Sequence, residues 1–428
     1  MERAPLVEVM ADQRADFLSA KTLVARDVTL DPYLATRQIV VISGIRRCGK
    51  SSLLYLIRRQ LGRDDRDILY FNFDDERLGA FRPEDFNTLY ALHLEEHGAT
   101  PRRMVCLFDE IQNVGRWEQF LARLQGKGIK VFVAGSNARL LSSEIATALT
   151  GRNKVLELFP FSFAEFLRSR NHAVDTPARS TEQKAHMVRL FREYLADGGF
   201  PAVVLDRDPA LLSAYYRDIL YRDIVTRHAL KQVEELKTLA ACLASSPASL
   251  FSCRKLQAAC GLNSVSTLKA YLDCLSHSFL FHYVRRFDHS FKRQRVHPQK
   301  SYLADTGFYG RIGFRPTPGR GALLENAVYL HLRRQSADVF YHADGKVECD
   351  FVVREGTRIV QAVQVALDMA HPATRARELA GLAHALRHHR HATGLIVTET
   401  EQAACTIEGR PVRIVPAWRW LLEERHAE

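Results

Sequence analysis

Residues 44 to 52 read Gly44-Ile45-Arg46-Arg47-Cys48-Gly49-Lys50-Ser51-Ser52, directly after the apolar run Gln38 to Ser43. Glycines framing such a loop let the backbone curl so that successive N–H groups point inward, which suits phosphate oxygens. Lys50 would reach the β- and γ-phosphates, and the Ser51 hydroxyl could ligate Mg²⁺. The helix expected from Ser52 to Leu61 would set its positive end beneath them. A second group of chemical residues follows Met104 to Phe108, five apolar residues ending in Asp109-Glu110. Asp109 at a strand end would hold Mg²⁺ through water, and Glu110 would orient and deprotonate an attacking water. With Glu110 present, ATP hydrolysis and not binding alone is the expectation.

These groups need a framework. Gln38–Ser43 and Met104–Phe108 read as buried parallel strands, and Asp67–Phe73 and Lys130–Ala134 as two more. Lys130–Ala134 ends in Gly135-Ser136-Asn137, ahead of an expected helix over 138–149. Ser136 and Asn137 could sense the γ-phosphate or simply cap that helix. Arg152, after Gly151, could act on a γ-phosphate across a subunit boundary, in which case the active form is a homo-oligomer.

The strings GIRRCGKSSLL, LFDEIQNV, AGSNARLLSSEIATALTGR and FPFSFAEFL resemble the bacterial and archaeal AAA+-type P-loop ATPases with a long C-terminal extension. YLADGGFP, KSYLADTGFYG, LLENAVYLHL and ECDFVV resemble the same proteins, so the likeness runs from about Leu34 to about Thr398. That extension is a domain of unknown function related to PD-(D/E)XK nucleases. The resemblance assigns Lys50 and Ser51 to the nucleotide loop, Asp109 and Glu110 to the Mg²⁺ and water-activating pair, and Arg152 to the Gly-Arg position after the sensor helix. It implies an α/β architecture: an AAA+-type ATP-binding domain at 1–165 with a parallel sheet, a helical lid at 166–230, a winged helix at 231–290, and a nuclease-like domain at 291–428.

Within the lid, Tyr215–His228 carries Arg217, Asp218, Arg222, Asp223 and Arg227 at helical spacing, which suits ion pairs along one face. In the third segment, Arg254–Cys260, Gly261-Leu-Asn and Ser264–Leu275 have a helix-turn-helix layout. Asn263, Ser264, Ser266, Thr267 and Lys269 stand where base contacts would arise, and Arg285–Lys300 holds six basic residues against Asp288. DNA contact and packing on the nucleotide domain both fit this segment. In the last domain, Glu325 and Asp350 match the nuclease acids, but the acid-x-Lys step falls on Gln364-Val365-Ala366. A neutral Gln364 is a poor Mg²⁺ ligand and Ala366 carries no charge, so little or no cleavage is expected. A docking surface for nucleic acid or an unidentified protein partner would remain. His384 and His388 have i, i+4 metal spacing, but no acid or cysteine lies in that cluster and Arg377, Arg387 and Arg390 repel cations. A solvated helix end is therefore expected there.

Composition bounds the rest. The chain has 428 residues, a formal charge of +11 and 8 cysteines. No CxxC pair occurs, which points to a reducing compartment and against a disulfide framework. No apolar run approaches the ~18 residues of a membrane helix, and Met1–Arg14 lacks the unbroken apolar core of a secretory signal. The expectation is a cytoplasmic, ATP- and Mg²⁺-dependent switch or motor. A nucleotide-stabilised DNA- or RNA-binding regulator and an active nuclease are the alternatives.

Overall fold

The computed structural model describes residues 1–19, 21–136, 151–174, 178, 180–313, 319–336, 338–345 and 347–423. Two compact units arise, Met1–Phe159 and Pro160–Glu428. Asn137 and the expected helix over 138–149 lie outside the described residues.

In the first unit, β1 (Ile39–Ser43), β2 (Ile68–Asn72), β3 (Val105–Asp109), β4 (Lys130–Gly135) and β5 (Asn153–Glu157) form a parallel sheet. Its order is β2-β3-β4-β1-β5. Every residue of β1 and β3 is buried, the condition under which unbroken β-branched runs are favoured over alternating ones. The helices Lys50–Leu61, Asp85–His97 and Trp117–Gly126 connect the strands. Phe71, Phe73, Phe86, Phe108 and Phe120 fill the core on one side. The helix Arg3–Leu18 covers edge strand β2. Gln13 there imitates a neighbouring strand: its Nε2 donates to Asn72 O at 3.1 Å and its Oε1 accepts from Asn72 N at 2.8 Å. Phe17 stacks on Tyr70 with ring centroids 3.9 Å apart.

The second unit opens with helices Phe163–Ser169, Thr181–Asp197, Pro201–Asp206 and Leu211–Asp218, the last continuing as a π-helical stretch, Ile219–Thr226. Of the ion pairs expected along it, Arg227 approaches Asp223 at 4.0 Å. The Gly198-Gly199 break is held by Asp305, whose carboxylate accepts from Gly199 N at 2.6 Å and Gly307 N at 2.9 Å. A Cβ on Gly199 would lie 2.3 Å from Phe161 O, so only glycine allows this approach. Burial pushes the Asp305 carboxyl up to about 7 against those two hydrogen bonds. The strings YLADGGFP and YLADTGF are thus the two halves of one clasp.

Next come helices Val233–Ser245, Cys253–Ala259 and Val265–His277 with β6 (Leu250–Phe251), β7 (Phe281–Arg285) and β8 (Gln299–Leu303). The strands form an antiparallel sheet ordered β6-β8-β7. β8, which carries Lys300, therefore pairs with β6 and β7 and not with the strands that follow it. Between β7 and β8 lies a short helix, Phe291–Val296, with Phe291 and Val296 exposed.

The remainder runs helix Arg320–Gln335, β9 (Val339–Asp344), β10 (Val347–Glu355), β11 (Arg358–Ala366), helix Pro372–His388 and β12 (Thr393–Thr398), then β13 (Ala403–Ile407) and β14 (Arg410–Pro416). The sheet order is β13-β14-β12-β11-β10-β9. β9, β10 and β11 are antiparallel neighbours, whereas β11, β12 and β14 run parallel. No helix among the described residues is long and apolar enough to cross a membrane.

Candidate functional site

The loop from Gly44 to Gly49 leaves the C-terminal end of β1 and enters the helix Lys50–Leu61. Gly49 has φ +97°, and a Cβ on Gly44 would lie 2.1 Å from Leu158 O, so both glycines are required by the backbone. Arg26, unremarked in the sequence, braces the loop by donating to Cys48 O at 3.0 Å and Phe159 O at 2.6 Å. Buried Lys50 donates through Nζ to Gly44 O at 3.1 Å and Ile45 O at 3.0 Å. It therefore folds back over the loop that would cradle phosphates.

Strand register brings the acids to this loop. β4 lies between β1 and β3, with Ser43 beside Gly135 and Ala134 beside Asp109. Ser43 and Asp109 thus end neighbouring-but-one strands about 10 Å apart. Ser51 lies close enough to Asp109 to draw its proton affinity down. Asp109 is only 3% exposed, and burial together with Glu110 pushes its carboxyl up to about 7. Glu110 takes a left-handed φ of +49°, turning its side chain out of the strand. Its Oε2 accepts from Gln112 and, at 3.4 Å each, from Ser136 N and Ser136 Oγ. Ser136 follows β4 and so stands between the loop and the acid pair. Arg152 does not join them. It is exposed at the start of β5, where its carbonyl accepts from Ile39 N at 2.9 Å. That is the opposite end of β1 from the loop, about 13 Å along the strand.

These groups fit a Mg²⁺-bound nucleotide. Asp109 is a buried carboxylate whose raised proton affinity marks a negative charge short of positive partners. Among the described residues, Ser43 Oγ is buried beside the loop with no hydrogen-bond partner.

A second polar cluster lies in the C-terminal sheet. Glu325 on helix Arg320–Gln335, Glu348 and Asp350 on β10, and Gln364 on β11 come together, and the nuclease resemblance had grouped Glu325, Asp350 and Gln364. The sequence reading missed their cation. Lys300 Nζ, from β8, lies 3.0 Å from Glu325 Oε1, 2.7 Å from Glu348 Oε1 and 2.9 Å from Asp350 Oδ1. Burial alone would lower this ammonium's pKa, but Glu325, Tyr302, Asp350 and Glu348 hold it well above the ordinary lysine value. Tyr302 donates to Glu325 Oε1 at 2.7 Å. Gln364 Nε2 donates to Asp350 Oδ2 at 2.8 Å and to Glu378 Oε2 at 2.5 Å, and Val365 N adds a third contact to Asp350 at 3.0 Å. Burial and Asp350 push Glu325 up to about 7. The usable signal was period two: Lys300 and Tyr302 share a strand face. Magnesium does not fit this cluster as it stands, because the ammonium already takes an oxygen from each of three carboxylates.

The helix-turn-helix residues are also rearranged by local bonding. Ser264 caps its helix, its Oγ accepting from Thr267 N at 3.0 Å and lying 2.7 Å from Ser266 Oγ and 2.9 Å from Thr267 Oγ1. Three of the five base-contact candidates are therefore engaged with one another, and Asn263 and Lys269 are exposed.

The loop, the acid pair and the parallel sheet define a P-loop nucleotide-binding domain, and residues 36–167 match the AAA domain family. Residues 188–317 and 320–420 match two domains of unknown function, DUF8612 and DUF4143. The uncharacterized protein MJ1544 of Methanocaldococcus jannaschii is 31% identical over 435 residues, covering 97% of this chain and 94% of that protein. An uncharacterized protein of Haemophilus influenzae is 31% identical over 365 residues, covering 82% and 88%. The chain belongs to the family that these proteins share. Among solved structures, the Walker-type ATPase of Pyrococcus abyssi overlaps 69% of this chain and 99% of its own at 16% identity and a TM-score of 0.38, too slight a likeness to build on.

Proposed function

We propose that this chain is an ATP-hydrolysing AAA-type switch that acts with Mg²⁺. The observation carrying this reading is the shared end of three adjacent strands, where the glycine loop, Ser136 and the Asp109–Glu110 pair face one another. The amides of Ile45 to Gly49 and the ammonium of Lys50, once turned from its loop carbonyls, would hold the phosphate chain. Ser51 and Asp109 would hold Mg²⁺, which when bound would neutralise charge developing on the phosphates. Glu110, splayed out by its left-handed backbone and steadied by Gln112 and Ser136, would take the proton of the attacking water. Arg152, remote from its own loop, would reach a γ-phosphate only from a neighbouring copy. The test is Glu110→Gln: turnover should fall about a hundredfold or more while a fluorescent ATP analogue still binds. Equal turnover removes Glu110 from the mechanism.

For the remainder, helices Val233–Ser245, Cys253–Ala259 and Val265–His277 with β6, β7 and β8 read as a winged helix, its wing carrying Lys292, Arg293 and Arg295. We take these cations as a DNA backbone contact, since the recognition-helix hydroxyls are engaged in a cap. The helix–three strands–helix–strand order from Arg320 to Thr398 supports reading this segment as a PD-(D/E)XK-related domain. We read it as cleavage-inert, with Lys300 neutralising the acids. A working nuclease is the second reading, favoured by this same lysine, which replaces the one β11 lacks. Mg²⁺-dependent plasmid cleavage lost in Asp350→Ala would establish that second reading.

A further inference from the structure

Outside both clusters, helix Pro372–His388 lies across β9 and β10. Among the described residues, His342 on β9 with His384 and His388 on this helix brings three ligand atoms within 4.8 Å of one another. His342 Nε2 is 2.8 Å from His384 Nδ1. His384 and His388 are one helical turn apart, their rings stacked at 4.4 Å. Each imidazole also has an outer partner on its remaining nitrogen. His384 Nε2 lies 3.5 Å from Asp344 Oδ2, His388 Nδ1 lies 3.1 Å from His384 O, and His342 Nδ1 lies 3.3 Å from His389 Nε2. A carboxylate, a carbonyl and a second ring behind three converging nitrogens is the outer arrangement that fixes the tautomer of metal-binding histidines.

We propose that His342, His384 and His388 form a divalent transition-metal site, selective for zinc over magnesium, with one coordination position open. Three neutral nitrogen donors suit zinc and lack the oxygens that magnesium demands. His342 Nε2 and His384 Nδ1 would separate by a few tenths of an ångström to reach the roughly 3.3 Å that tetrahedral Zn–N bonds of ~2.0 Å require. Burial and the neighbouring His389 push His342 down to about 3, and burial with His388 pushes His384 down, so lone pairs are available at neutral pH. The expectation of a solvated helix end did not take in β9, which supplies the third imidazole and the carboxylate from 42 and 40 residues upstream of His384. The arginines that seemed to repel a cation are largely answered. Arg387 pairs with Glu408 at 2.6 Å and Arg377 with Glu378 at 2.5 Å.

The test uses the full chain without a histidine tag, loaded with zinc sulfate and then washed free of weakly held metal. Wild type should retain one zinc per chain and melt several degrees higher with zinc than with chelator. His388→Ala, at an exposed position, should melt like wild type in chelator yet bind zinc at least tenfold more weakly. His342→Gln should lose stoichiometric zinc, and His391→Gln, off the cluster, should keep it. Cobalt in place of zinc should give the intense visible absorption of a four-coordinate site. Substoichiometric zinc in wild type, or equal retention in His388→Ala, overturns the proposal.

Discussion

Asp109 and Lys300 are buried charges with opposite solutions, and each sets a measurable pH dependence. The Asp109 carboxyl titrates near 7 when folded against an ordinary 3.8. Between those values the unfolded chain has released the proton and the folded chain still holds it. Asp109 therefore favours the folded state at acid pH and loses that contribution as pH rises towards 7, by roughly 1 kcal/mol per unit. Asp109→Asn should raise the melting temperature of nucleotide-free protein at pH 8 and leave it nearly unchanged at pH 4, while abolishing Mg²⁺-dependent turnover. Mg²⁺–nucleotide binding to wild type should release a proton near pH 6 and none near pH 8.5, read by calorimetry in two buffers of different ionisation enthalpy. Lys300 is the reverse case. Lys300→Met strands Glu325, Glu348 and Asp350 without their cation, a change costing about 3–5 kcal/mol when a buried pair is broken. The loss should be larger at pH 8 than at pH 5, where the acids can take up protons, and Mg²⁺ should restore part of the melting temperature in the variant alone.

At the level of elements, four of the five parallel strands and the phosphate loop were legible because their signals are local, whereas β5, in which only Leu156 is buried, carries no apolar run to announce it. Short apolar runs and two glycines need no distant partner to be read. The acid cluster was half legible: the resemblance points to Glu325 and Asp350, but Lys300 reaches them from a strand hydrogen-bonded into a different sheet. No spacing rule links residue 300 to residue 350. The same holds for His342 and His384, and for the Asp305 clasp, whose halves are 106 residues apart in the chain. That clasp is testable at Gly199, whose close neighbour is a backbone oxygen. Gly199→Ala places a methyl 2.3 Å from Phe161 O and should destabilise the second unit by several kcal/mol, seen as loss of its cooperative melting transition. An unchanged transition would show that the Gly-Gly turn yields easily. Ser264, Ser266 and Thr267 were legible as polar groups at a helix start, and local hydroxyls there take up capping bonds that spacing alone does not reveal.

For the whole molecule, a formal charge of +11 is permissive of nucleic-acid binding, and the exposed Phe291–Val296 helix concentrates part of it. Replacing Lys292, Arg293 and Arg295 together by alanine should weaken duplex DNA binding irrespective of sequence. It should also flatten the log–log salt dependence by about 2–3 units if each cation meets one phosphate. An unaltered salt slope would locate any DNA contact elsewhere. The Gln13 amide facing β2 has a practical corollary for dissection of the protein. The AAA match begins at residue 36, so a fragment cut to that boundary would discard the Arg3–Leu18 helix and uncover Asn72 and its neighbours along a flat strand margin. Such a fragment is set to recruit a stranger's backbone in place of Gln13 and precipitate, and isolation of a working nucleotide module should start from Met1.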